Sequence, residues 1–191
     1  PGNRSQFSED YSLGPIDSLT LAGKPDEYIE LYFFGRFKTI LEFLSHGCCA
    51  GLRAVHLYCI FDVEYILSSL PTRSVEKLTL DDCDLISLPS LRNFVRLREL
   101  SLRLSEYSND SEDSEDEPFW DQISALPPLP ERLEKLELDG LELTELPSLP
   151  VSLTKLELNG LTELKALPDN LPPDLEILVI KDCEKLNNPH E

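Results

Sequence analysis

The side chains best suited to chemistry in this chain are its histidines and cysteines, and their spacing argues against chemistry. His46, His56 and His190 stand at no ligand-like interval from one another or from any cysteine. Cys48, Cys49, Cys59, Cys83 and Cys183 are odd in number and form no Cys-x-x-Cys pair, which fits a reducing compartment better than a disulfide framework. Nucleophile elbows, phosphate loops and dinucleotide fingerprints are missing from the sequence. Acids are plentiful, but they recur in a regular polar pattern. Acid–base catalysis needs two carboxyls in contrasting surroundings, and nothing in that pattern separates them. The expectation is therefore a protein that is not an enzyme, with no cofactor and no metal.

One stretch suggests chemistry done to the chain rather than by it. Residues 105–121 carry eight acids and no base. Within them Ser114 precedes Glu115, Asp116 and Glu117, which places an acid three residues downstream, as acidophilic kinases prefer. Ser111 lies three residues before Ser114, Ser108 three before Ser111, and Ser105 three before Ser108. A phosphate on Ser114 would supply the anion that Ser111 lacks, and so on backwards, each adding about −1.5 to −2 charges. The plain alternative is a self-repelling, solvated insertion, which costs a loop little entropy. Phe119 and Trp120 follow and are expected to return the chain to the core.

The elements that position everything else come from a repeat. From Leu133 the chain reads LEKLELDGLELTELPSLPVS, then LTKLELNGLTELKALPDNLPPD, then LEILVIKDCEKL. Leu, Val or Ile falls at positions 1, 4 and 6 of each unit, and the first two periods are 20 and 22 residues. The same frame extends backwards through Leu97, Val75, Leu52 and Ile16. Seven strands are thus expected, starting their units at 16, 52, 75, 97, 133, 153 and 175. A unit of this kind cannot bury its own apolar stripe and must stack on its neighbours. The expected fold is an α/β leucine-rich-repeat solenoid, a curved parallel sheet of about seven strands with positions 1, 4 and 6 buried.

Because a strand alternates its side chains, positions 3, 5 and 7 must line the opposite, concave face. The candidate protein-binding residues are His56, Tyr58, Lys77, Thr79, Asp81, Ser101, Arg103, Glu137, Asp139, Glu157, Asn159, Val179 and Lys181. Bases dominate column 3 and acids or hydroxyls column 5, so neighbours should partly neutralise one another. By residue type, Tyr58, Arg103 and Val179 are the expected anchors. The competing expectation is a face that is merely solvated. Position 9 holds Cys83 and Cys183 where other units have Leu141, Leu161 and Ile60, so these cysteines read as packing.

Between the first two strands, Pro25, Asp26 and Glu27 open a helix that Gly47 closes, and Ile29, Phe33, Phe37, Ile40 and Leu44 share its apolar face. It is expected to cover one side or end of the solenoid. A shorter helix is expected over 62–69, ahead of Leu70-Pro71, and no capping helix after the last strand. The chain divides into residues 1–51, an N-terminal segment with the first strand and the capping helix, and the repeats at 52–191, interrupted by the acidic insertion at 105–121.

Across 191 residues, 17 bases against 36 acids give a net charge of −19, and removing the insertion's eight acids still leaves −11. A phosphate backbone or an anionic bilayer would be repelled, so neither nucleic acid nor membrane is expected as a partner. The most apolar stretch is broken by Glu30, Arg36, Lys38 and Glu42, and the chain opens on no secretory leader. A cytosolic monomer is the expectation.

The segments PPLPERLEKLELDG and PSLPVSLTKLELNG resemble the bacterial LPX subclass of leucine-rich repeats, over Leu126 to Asp174. That resemblance implies an effector delivered into host cells, where it selects a host protein in the cytosol. Some members append a ubiquitin-ligase domain with a catalytic Cys-x-Asp motif. No such motif occurs here, so the family's ligase activity has no counterpart in these residues. The family also prefers Asn at position 9, where this chain has Leu, Ile or Cys. That difference, with Cys183 followed by Leu186, is similar to the repeat arrays of plant intracellular immune receptors. Both resemblances imply a binding module.

Overall fold

The computed structural model describes residues 16–22, 44, 49–60, 63–83, 85, 88–104 and 123–187. All seven strands of the repeat frame are present: β1 (Ser18–Ala22), β2 (Ala54–Tyr58), β3 (Lys77–Asp81), β4 (Glu99–Arg103), β5 (Lys135–Asp139), β6 (Lys155–Asn159) and β7 (Ile177–Lys181). Each spans five residues, positions 3 to 7 of its unit. They form one parallel sheet in chain order. Equal positions stand side by side, so that Leu136 pairs with Leu100 on one flank and Leu156 on the other. The result is a solenoid-like stack in which each unit touches chiefly the units before and after it.

Alternation does the sorting. From β2 to β6 the residues at positions 4 and 6, Val55 and Leu57 through Leu156 and Leu158, are at most 1% exposed. Leu52, Val75, Leu97, Leu133 and Leu153 at position 1 are fully enclosed beside them. A one-residue slip would put each of these rows into water, which is why the register holds through all six pairings.

Three backbone devices frame each strand. At the entry, the N–H of Leu133, Leu153 and Leu175 donates to the carbonyl of Pro130, Pro150 and Pro172, three residues earlier. This turn gives the recurrent proline its place: it contributes a carbonyl and has no N–H to satisfy. Next, the carbonyl at position 2 accepts two N–H groups from the following unit, as Arg98 does from Glu134 and Lys135. At the exit, the N–H at position 8 donates to the position-7 carbonyl of the next strand, from Cys59 through Gly160. Position 8 is left-handed at Cys59, Asp82, Gly140, Gly160 and Asp182, with φ between 50° and 67°.

The helix expected over 62–69 is found at α1 (Val63–Ser69), which buries Val63, Ile66 and Leu67 against the core. Leu70 and Pro71 end it. The expected helix between the first two strands lies outside the described residues, apart from Leu44, which is buried. Two expectations need correction. A one-turn helix, α2 (Glu184–Asn187), follows the last strand, held by Lys185 Nζ on Glu163 at 2.6 Å. Burial at positions 1, 4 and 6 also fades at the ends of the sheet. Leu178 is 41% exposed, and Ile16, Leu19, Leu21, Leu175 and Ile180 are only partly buried. The reason is nearest-neighbour stacking: β7 pairs with β6 alone, so its inward side chains lack one flank.

Candidate functional site

Strand alternation carries the thirteen candidate binding residues to the face opposite the leucine core. The register then sets them in three columns, with position 3 of one strand beside position 3 of the next. In these columns five bases (Lys77, Arg103, Lys135, Lys155, Lys181) stand against five acids (Asp81, Glu99, Glu137, Asp139, Glu157), so the face is neutral in a chain of net charge −19.

Neutrality is local as well as summed. Glu99 lies between two lysines, 3.3 Å from Lys77 and 2.5 Å from Lys135 across both neighbouring strands. Arg103 places Nη2 2.8 Å and Nε 3.0 Å from Glu137 Oε1, while Ser101 donates to Oε2 at 3.2 Å. Lys155 lies 3.0 Å from Glu157, and His56 Nε2 sits 2.8 Å from Asp81 Oδ2. Asn159 donates to Asp139 Oδ1 at 2.7 Å. Thr79 is half-buried and Lys181 exposed.

These contacts leave a mark on the titrating groups. The Lys135 hydrogen bond draws the Glu99 carboxyl below its usual range, partial burial opposes that, and Lys77 adds to it. At Glu137 burial pushes upward, but the hydrogen bond and charge of Arg103, with help from Ser101 and Lys155, outweigh it and hold the carboxyl low. Arg103 and Lys135 are pushed up in return, each mainly by the hydrogen bond to its acid. Pairs this exposed contribute little to stability. Their effect is to fix side-chain directions more than to hold the fold.

Arg103, expected as a contact anchor, is ion-paired within the face itself. Its guanidinium is committed to Glu137 on the next strand, so removing it would disturb the face before any partner arrives. Tyr58 is 36% exposed, and Val179 is partly exposed. The adjoining apolar surface, Ile177 at 45% and Leu178 at 41%, follows from the unflanked position of β7.

A groove of about 590 Å³ runs along the strand exits, lined by Tyr58, Asp81, Asp82, Arg103, Leu104, Asp139, Gly140, Asn159, Gly160 and Asp182. Asp82, Asp182 and the two glycines were not among the sequence candidates, because position 8 lies just past the alternating stretch. Its signal was present all the same: Asp or Gly recurs there in four of the last five units, the residues that best tolerate a left-handed turn.

Cys83 and Cys183 pack as expected. Cys49, Cys59, Cys83 and Cys183 are all buried, and none of the four is in a disulfide. The Cys83 thiol donates to the carbonyls of Leu57 and Asp81, each at 3.3 Å, and burial pushes its pKa up to about 12. Cys48 and the serines at 105, 108, 111 and 114 lie outside the described residues. Among the described residues no group of three or more His, Cys, Asp or Glu is placed to hold a metal ion, and no helix is long and apolar enough to cross a membrane. No family model, curated protein or solved structure matches the chain.

Proposed function

We propose that this chain is a leucine-rich-repeat protein that binds another protein through the polar face of its sheet and has no catalysis of its own. The observation that carries this is the preset lattice of side chains on that face. Ten charged groups from β3 to β7 sum to zero, and most are already held in direction by a neighbour. A partner meeting such a surface spends less on ordering side chains, which favours specific protein recognition. The Leu-Pro spacing supports a bacterial effector of the LPX type, with a host protein as partner in the host cytosol, acting as a monomer. The alternatives are the substrate-recognition part of a larger ubiquitin ligase and a fragment of a plant immune-receptor array. The thiols at position 9, hydrogen-bonded to the backbone of the preceding unit, favour the plant array where the two differ.

The test is affinity capture from host-cell lysate with wild type, with Tyr58→Ala/Thr79→Arg, and with Val151→Asp as a control at an exposed loop position. One protein should be retained by wild type and the control, and weakened at least about tenfold by the double variant with its thermal midpoint unchanged. Equal capture by all three would move the site off this face.

A further inference from the structure

At the strand entries the charge of the chain changes sign. From the entry turns through position 2 of the units that begin at 52, 75, 97 and 133 stand six arginines and no lysine: Arg53, Arg73, Arg92, Arg96, Arg98 and Arg132. Only Glu76, Glu131 and Glu134 oppose them, which leaves +3 on this rim in a chain of net charge −19. Asp17 on the first unit, and Asp174 and Glu176 on the last, border the basic stretch with acids.

Stacking gathers these residues. The N–H groups of Glu76, Arg98 and Glu134 each donate to the position-2 carbonyl of the preceding unit, so Arg53, Glu76, Arg98 and Glu134 form one row. The residue just before position 1 rests on the turn of the preceding unit, as where the Ser152 hydroxyl donates to the carbonyls of Glu131 and Leu133 at 2.8 Å. Arg96 and Arg132 hold that place on adjacent units, where like charges repel.

Pairing separates this rim from the polar face. On the face Lys77, Arg103, Lys135 and Lys155 each have an acid within 3.3 Å. On the rim Arg98 alone is paired, with Glu134 at 2.7 Å. Arg53, Arg73, Arg92, Arg96 and Arg132 are exposed and make no ion pair among the described residues, although the chain has 36 acids. Val95, beside Arg96, is 54% exposed and adds an apolar contact.

Building on the protein-binding role above, we propose that this rim docks a short acidic segment of the partner, with carboxylates in the guanidinium forks of Arg96 and Arg132. A carboxylate accepts two parallel N–H groups from such a fork, which a lysine cannot offer. Three strand spacings of about 4.8 Å carry the rim over roughly 14 Å, the length of about four extended residues. A long polyanion such as nucleic acid would run past it into the bordering acids. A short acidic stretch of a protein matches both the charge and the length.

The probe is a labelled peptide of six glutamates, titrated by fluorescence anisotropy at about 150 mM salt. There the Debye length is roughly 8 Å, so remote acids are screened while charges in contact still act. A peptide of six glutamines and an oligouridylate of six nucleotides run in parallel. The glutamate peptide alone should bind, and Arg96→Gln and Arg132→Gln should each weaken it about threefold or more with the thermal midpoint unchanged. Lys165→Gln, the same charge change at an exposed loop position, should weaken it less than about 1.5-fold. Equal weakening by all three variants would mean diffuse attraction and would overturn the rim, as would absence of binding. Tighter binding of the oligouridylate would make nucleic acid the occupant; self-association that Arg96→Gln/Arg132→Gln abolishes would make it a second copy. Either result overturns the proposal. If the captured partner is lost with Tyr58→Ala/Thr79→Arg but kept with Arg96→Gln/Arg132→Gln, the binding face stands and the rim proposal falls.

Discussion

Gly140 and Gly160 occupy the same position of successive units and share a left-handed backbone, but they are not equivalent. A Cβ on Gly160 would meet Gly140 N at 3.3 Å, whereas one on Gly140 would lie 2.0 Å from the carbonyl oxygen of Leu104. Leu104 is the one position-8 residue described without a positive φ, and its carbonyl turns toward the next unit. Gly160→Ala should cost about 1–2 kcal/mol, the ordinary penalty of a left-handed alanine. Gly140→Ala should cost clearly more, because a backbone atom must move. Urea unfolding of both variants checks this, and equal midpoints would contradict the close approach. Glu99 and Glu137 make a second residue-scale case, in pH. Their carboxyls titrate lower in the folded chain than their ordinary value of 4.5. Stability from them is therefore present above about pH 4.5 and is lost as pH falls through the depressed folded values. The difference in thermal midpoint between wild type and Glu99→Gln should be steady near neutral pH and should close as the carboxyl is protonated in acid; a gap that persists once it is fully protonated would rule out the ionic contribution.

Among the elements, β5 and β7 share one sequence pattern and differ in what flanks them. Leu136 and Leu178 both stand at position 4, yet the first is 1% exposed and the second 41%. Leu136→Ala leaves a cavity enclosed by β4 and β6 and should cost about 2–5 kcal/mol. Leu178→Ala gives up less buried surface and opens no closed cavity, so it should cost less than about half as much. Denaturant unfolding of the pair decides the matter, and similar losses would mean that β7 is flanked in solution by something beyond the described residues.

Over the whole molecule the charge of −19 outweighs the neutral face. Added salt screens the mutual repulsion of dispersed acids, and it also weakens ion pairs that contribute little individually. The first effect is the larger in so acidic a chain. The thermal midpoint should rise between about 10 mM and 150 mM sodium chloride, where the Debye length falls from roughly 30 Å to 8 Å. A falling midpoint would make the face's ion-pair lattice a principal source of stability.

The positions of all seven strands, their inward leucines and the helix before Pro71 were legible in the residues alone. Apolar alternation with period two and a repeat of 20 to 23 residues leave a chain few ways to bury its leucines, and each unit reaches the answer locally. Which polar residues share the face was legible for the same reason. Other features follow from how neighbouring units meet, and no single unit encodes them. Arg103 became a strut because Glu137, 34 residues away, stands beside it across a strand pair. Leu178 became half-exposed because its row ends there. Asp82 and Asp182 line a common groove because position 8 recurs at the strand exits of stacked units. Periodicity within a unit decides which way a side chain points; the stacking of units decides which charges meet.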